Sequence, residues 1–201
     1  GLRYLNDLAR KQGMPLVICV ALGTSFGGHN GDSLLADILD IYATVRNRCV
    51  VVGTGNEAAR RHHYFNRFTD AQDMRTAEIR VGEGTQSFAV ELWSTLPNIV
   101  MVSVTSPSGE RTGMIPIRLG YLFDFSFTFE RTTITVEYRL LQRNNDAQLV
   151  FIRFQNAVPG IWKIDIKPAM LTTGDFHIWL PMEEFLEGEV YFLESNPDTT
   201  F

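Results

Sequence analysis

The stretch "CVVVGTGNEAARRHHY", residues 49–64, decides how the first third of this chain is read. Gly53, Gly55 and Ala58 satisfy the G-x-G-x-x-G/A pattern of a dinucleotide-binding turn, and an apolar run precedes them. That fingerprint requires the loop to open a helix packed on the sheet, with an acidic residue about twenty positions further on. The residues after Asn56, "EAARRHHYFNRFTD", carry no apolar stripe, and Glu83 comes too late, after a segment of different character. A phosphate cradle is therefore disfavoured, and the glycines need another reason.

Working outward, two patterns divide the 201 residues. Up to about Ala71 the chain alternates helix and strand. Leu2, Leu5, Leu8 and Ala9 form a helical stripe closed at Gly13, and Leu16–Leu22 is a continuous apolar run. A glycine-rich loop follows, then Leu34, Leu35, Ile38, Leu39 and Tyr42 recur at helical spacing before the run Cys49–Val52. Apolar strands joined by helices predict a parallel α/β sheet covered on both faces. From about Thr76, short alternating segments such as "SFAVELW", "NIVMVSVTS", "MIPIRL", "LFDFSFTFE", "TITVEYRLL" and "GIWKIDI" recur between turn signals, which predicts an antiparallel β-sandwich of the jelly-roll kind. The expected division is residues 1–71 for the partial α/β core, 72–194 for the sandwich and 195–201 for a return toward the first part. The abrupt beginning and end suggest a piece of something longer.

The two apolar strands and their loops together resemble the middle of a subtilisin-like serine peptidase (the subtilase or S8 family). "PLVICVALGTSFGGHNG" corresponds to the strand that usually ends in "SLG", and "VVVGTGNEAA" to the family's "AAGNEG" loop. The resemblance covers the first third of the chain, with both motifs in order around a helix. It implies that Asn56 is the side-chain donor of an oxyanion hole. It also implies that Ala21, Leu22 and Gly23 pair with an extended polypeptide substrate, and that Gly53, Thr54 and Gly55 form the opposite wall of its pocket. A preorganised amide N–H aimed at the developing oxyanion is worth about 3 to 4 kcal/mol in subtilisin, where that magnitude was measured. Ala21 stands where the family has serine, Gly53-Thr54 where it has an alanine pair, and Ala58 where it has glycine, so no side-chain preference is assigned.

In subtilases the catalytic Asp and His precede the substrate strand and the Ser follows the asparagine. The resemblance therefore places the triad outside these residues, and the "GTS" at Gly23–Ser25 is a decoy. A sandwich between asparagine and serine is similar to the Csp-type subtilases of clostridia and their bacterial relatives, with "PGIWKIDI" and "DFHIWLP" looking like that group. The implied function is a fragment of a serine endopeptidase acting through an acyl-enzyme, inactive alone, with the rest of the protease chain as its partner. The alternative is a pseudoprotease, or a binding module whose sandwich recognises protein or carbohydrate.

Other residues have plainer readings. A formal net charge of -5 and the absence of a Lys/Arg run argue against nucleic acid, and neither apolar run is long enough to span a bilayer. Charge and cysteine usage do not separate cytoplasm, spore and secretion. Cys19 and Cys49 are expected as buried, inert thiols. His62 and His63 are adjacent, so their side chains point apart and make a poor metal pair, and no cofactor or metal is expected. His29, Asn30 and Asp32 lie in a loop whose spacing fits no calcium cage, and Asp32 or Ser33 is expected to cap the next helix. The alternating Phe123, Phe125, Phe127 and Phe129 are expected in the core, with Asp124 and Glu130 on the solvent side. Trp93, Trp162 and Trp179 are either core or an aromatic sugar platform.

Overall fold

The computed structural model describes residues 1–29, 31, 33–141 and 146–195, and these fall into two compact units. The expected return segment beyond Ser195, and Asn30 and Asp32, lie outside the described residues.

The first unit holds α1 (Leu2–Gln12), β1 (Leu16–Val20), α2 (Leu34–Ala43) and β2 (Arg48–Val52). Helix α1 ends where Gly13 turns left-handed at φ 65°. Met14 N then donates to Ala9 O at 3.0 Å and Gly13 N to Arg10 O at 3.2 Å, the paired bonds of a Schellman ending. Helix α2 begins at Ser33, whose hydroxyl accepts from Ala36 N at 3.1 Å. Strands β1 and β2 pair in parallel from Leu16 opposite Arg48 to Val20 opposite Val52. Arg48 ties the unit together through Asn6 Oδ1 at 2.9 Å and Met14 O at 3.3 Å.

The expected parallel α/β core is not what the chain builds. Among the described residues 43% are in strands and 13% in helices, so it is mostly antiparallel β, and the parallel sheet they form has two strands. Two strands and two short helices cannot cover a sheet on both faces. Among the described residues of this unit, Ala9, Ile18 and Leu39 are the buried apolar side chains, while Val17, Leu22 and Ile41 are exposed. The same shortage of cover leaves Cys19 and Cys49 as exposed free thiols rather than buried ones.

The second unit carries two antiparallel sheets, built from β3 (His63–Arg67), β4 (Arg75–Val81), β5 (Ser87–Thr95), β6 (Ile99–Thr105), β7 (Leu122–Ser126), β8 (Thr133–Leu141), β9 (Ala147–Gln155), β10 (Gly160–Met170), β11 (Asp175–Trp179) and β12 (Val190–Phe192). One sheet has the order β12-β4-β10-β6 and the other β3-β11-β5-β9-β8-β7. Alternate residues of each strand turn inward: Ala77, Ile79 and Val81 of β4, Val150, Ile152 and Phe154 of β9, and Trp162, Ile164 and Ile166 of β10 are all buried in one core. Burying each larger side chain of this set is worth roughly 1.5–3 kcal/mol. Trp162 sits at the centre, edge-on to Phe154 of the facing sheet at 5.3 Å and to Phe127 at 5.0 Å, with its Nε1 donating to Val158 O at 3.1 Å. Residues 56–71, grouped above with the first segment, lie in this unit, because β3 pairs with β11.

Two alternating segments depart from the strand expectation. "MIPIRL" is not a strand: Ile115 is buried, but Pro116 lacks an N–H, and only Leu119 makes an isolated bridge, to Tyr138. In "LFDFSFTFE" the strand stops at Ser126 and a turn follows, in which Arg131 N donates to Phe127 O at 3.0 Å. Phe127 is buried by that turn, whereas Phe129 is carried out to 79% exposure and is not core.

Strand β6 is an edge, yet its outward backbone groups are all engaged. Val100 N donates to Gln148 Oε1 at 2.7 Å, Val102 N to Tyr138 Oη at 3.2 Å and Val104 N to Thr112 Oγ1 at 3.0 Å. The matching carbonyls accept from Gln148 Nε2, Ile115 N and Thr112 N at 2.9 to 3.0 Å. Pro168 lies opposite Val100 in β10 without loss, because Val100 turns its polar groups the other way. The free edge is thus closed by side chains of the facing sheet and by the 112–115 segment.

Tyr138 is buried, and its hydroxyl also donates to Ile115 O at 3.0 Å, while burial pushes its pKa up to about 12. Removing that hydroxyl orphans a buried N–H and a carbonyl. Tyr138→Phe is expected to cost about 1–3 kcal/mol in a urea unfolding titration with an unchanged slope. A change within a few tenths of a kcal/mol would contradict the role given to this edge.

Candidate functional site

The loop that follows β2 begins as a continuation of the parallel pair: Gly53 N donates to Val20 O at 3.0 Å. This bond brings the end of β2 beside the end of β1, where Ala21, Leu22 and Gly23 continue as exposed, non-strand backbone. A Cβ at Gly53 would meet Val20 O at 3.8 Å and Ala21 Cα at 4.0 Å, ordinary contact, so crowding does not demand that glycine. Gly55 is different: its φ of 87° is a conformation that side chains resist. Thr54 is exposed between them.

Asn56 is exposed and opens the second unit, whereas Ala21–Gly23 and Gly53–Gly55 belong to the first. Beside Asn56 lies a cleft of about 280 Å³ lined by Asn56, Glu57, Arg60, Met182, Glu183 and Glu184. Its floor is a polar network. Glu57 Oε2 accepts from His62 Nδ1 at 3.1 Å and from the backbone N–H of Glu183 at 3.0 Å. Arg60 closes the turn, with its N–H donating to Glu57 O at 2.8 Å and its Nη2 2.6 Å from Glu183 Oε2. Backbone bonds pin the other side of this turn to the sandwich: Leu180 N donates to His62 O at 2.9 Å and Phe192 N to Arg61 O at 3.0 Å.

His62 and His63 turn to different surroundings. His62 faces Glu57, while the His63 ring stacks on Trp179 with centroids 3.7 Å apart and lies within 3.0 Å, Nε2 to Nδ1, of His177. Burial holds both His62 and His177 below the ordinary imidazole value, opposed by Glu57 at the first and by Asp175 at the second. Trp162 is buried, and so is Trp179 under His63, so the three tryptophans do not form an exposed sugar platform. No group of three or more His, Cys, Asp or Glu side chains placed to hold a metal occurs among the described residues. No described helix is long and apolar enough to cross a membrane.

The sequence gives no sign that Glu57, His62 and Glu183 meet: His62 stands out only as half of an adjacent histidine pair. Glu57 was visible as the last letter of "GNE", but Glu183 lies 126 residues further on, and no local pattern links them.

No sequence-family profile matches the chain, and no curated protein does. Among solved structures it is similar to the CspB protease of Clostridium perfringens, with a TM-score of 0.86 and 25% identity over 98% of this chain. The chain spans 40% of the length of that protease. The similarity thus joins this chain to a protease.

Because the folded imidazoles of His62 and His177 are held below their ordinary value of 6.5, the unfolded chain takes up protons that the folded chain refuses. Their contribution to stability is complete above that value and is lost as pH falls toward the folded values. Thermal denaturation is expected to give a Tm that is level above about pH 7 and declines as the pH falls below about 6.5, less steeply in His177→Phe. A level Tm across that interval would contradict the burial described.

Proposed function

We propose that this chain is part of a subtilisin-like serine endopeptidase and that Asn56 supplies the amide N–H donor of its oxyanion hole. The observation that carries the reading is the likeness to the CspB protease along nearly the whole chain, combined with the "GNE" loop that presents Asn56 next to Gly55. The reaction would be acyl transfer. A serine outside these residues attacks the peptide carbonyl, and the C–O bond forms as the carbonyl oxygen takes up negative charge. Asn56 Nδ2 would stabilise that oxygen until the intermediate collapses, when the C–N bond breaks and a histidine outside these residues passes the proton it took from the serine to the leaving nitrogen.

Ala21, Leu22 and Gly23 would pair with the substrate backbone by strand addition, which suits exposed backbone continuing from the end of β1. Gly53, Thr54 and Gly55 would form the other wall, where the absence of side chains at the two glycines lets a substrate approach. The apolar side chains left open on the first unit, Val17, Leu22 and Ile41 among them, support a partner surface supplied by the rest of a longer protease. By itself the 201-residue chain is expected to hydrolyse no general peptide substrate, since the resemblance puts the whole triad elsewhere.

The test is made on the longer protein that contains this chain. Its serine is expected to react with a fluorophosphonate probe, and Asn56→Ala is expected to slow that labelling about 100-fold or more without changing the unfolding midpoint. Equal labelling rates for the two proteins would remove Asn56 from the oxyanion hole. Labelling of the isolated 201-residue chain would overturn the placement of the triad outside it.

A further inference from the structure

We infer that Glu57 is a positioning residue, which clamps the turn carrying Asn56 to the sandwich through His62 and the backbone of Glu183. The inference rests on the reading of Asn56 given above and adds to it how that exposed side chain is held. Asn56 itself is exposed, so packing does not fix it. The turn that carries it is held by the next residue: one carboxylate oxygen of Glu57 accepts two hydrogen bonds, from His62 Nδ1 and from Glu183 N.

The two donors come from segments far apart in the chain. His62 immediately precedes β3, and Glu183 begins the short 3-10 helix Glu183–Phe185 between β11 and β12. The 61–62 segment is bonded to the chain on either side of that short helix without Glu57: His62 O accepts from Leu180 N and Arg61 O from Phe192 N. Glu57 therefore joins the Asn56 turn to backbone already hydrogen-bonded into the sandwich. Its strength relative to the nearby ion pair follows from exposure. Arg60 and Glu183 are 52% and 54% exposed and screened by water, whereas the Glu57 side chain is 20% exposed and its partner His62 8%. The charge-assisted bonds at Glu57 are the ones that hold the turn.

The arrangement also gives the sandwich a part in the chemistry. A donor that is to stabilise an oxyanion must already be in place when charge develops, and a displacement of about 1 Å costs on the order of 100-fold in rate. In this chain the rigidity required at Asn56 is borrowed from strands β3, β11 and β12.

Two experiments test the clamp and its consequence separately. Amide hydrogen exchange on the 201-residue chain is expected to show the N–H groups of Glu183 and Arg60 exchanging about tenfold or more faster in Glu57→Ala, with Val150 and Ile164 in the core unchanged. Glu57→Gln, which keeps an acceptor oxygen, should restore most of the protection. Unchanged exchange at Glu183, or equal acceleration throughout the core, would overturn the clamp. In the longer protein, fluorophosphonate labelling is expected to slow about 10- to 100-fold in Glu57→Ala, to recover largely in Glu57→Gln, and to be no slower in Asn56→Ala/Glu57→Ala than in Asn56→Ala alone. Additive losses, or normal labelling of Glu57→Ala beside a slowed Asn56→Ala, would overturn positioning while leaving Asn56 in its role. An unaffected Asn56→Ala, or a folded protein that takes no probe, would overturn the reading of Asn56 and this inference with it.

Discussion

The second unit depends on two antiparallel sheets burying one set of alternating side chains against each other, with Trp162 between them. That constraint fixes the register of every strand, because a slip of one residue in β10 would exchange Trp162, Ile164 and Ile166 for Ile161, Lys163 and Asp165. Asp165 shows what the outer face tolerates: it is covered, but it accepts from Thr76 Oγ1 at 2.7 Å and pairs with Arg111 at 2.6 Å. Facing the core without those partners, the same carboxylate would oppose folding. The closed edge of β6 follows from the same geometry, since Gln148 and Tyr138 reach it from the facing sheet.

The alternating strands were legible in the sequence because period-two patterning and turn signals act locally. β5, β6, β8 and β10 fall where "SFAVELW", "NIVMVSVTS", "TITVEYRLL" and "GIWKIDI" place them. "MIPIRL" misled because alternation reports which side chains are buried, and Ile115 can be buried by covering an edge as well as by joining a sheet. The α/β expectation failed for a related reason. Continuous apolar runs at β1 and β2 identify strands, but the number of further strands and helices that cover them is not written in those runs.

The candidate site was partly legible. Asn56 and the glycines around it stand out from the "GTGNE" motif and the likeness to subtilases. The network beneath them does not, because it is formed by residues distant in sequence. Asn98 makes the same point elsewhere in the fold: its Oδ1 accepts from the backbone N–H groups of Thr172, Thr173 and Gly174 at 2.6 to 3.3 Å. Nothing near Asn98 in the sequence announces that it holds the turn before β11. Glu57 and Asn98 are both polar side chains that replace missing backbone partners at the joints between elements, a task that pattern reading does not see.

The central claim is that Asn56 points its amide at a developing oxyanion, and a crystal structure of the longer protein carrying a covalent peptide boronate tests it most directly. The account predicts Asn56 Nδ2 at about 2.7–3.1 Å from the boronate oxygen that stands in for the oxyanion, with Glu57 still bonded to His62 and Glu183 N. An adduct whose oxygen is held by other donors, with Asn56 turned to solvent, would contradict it.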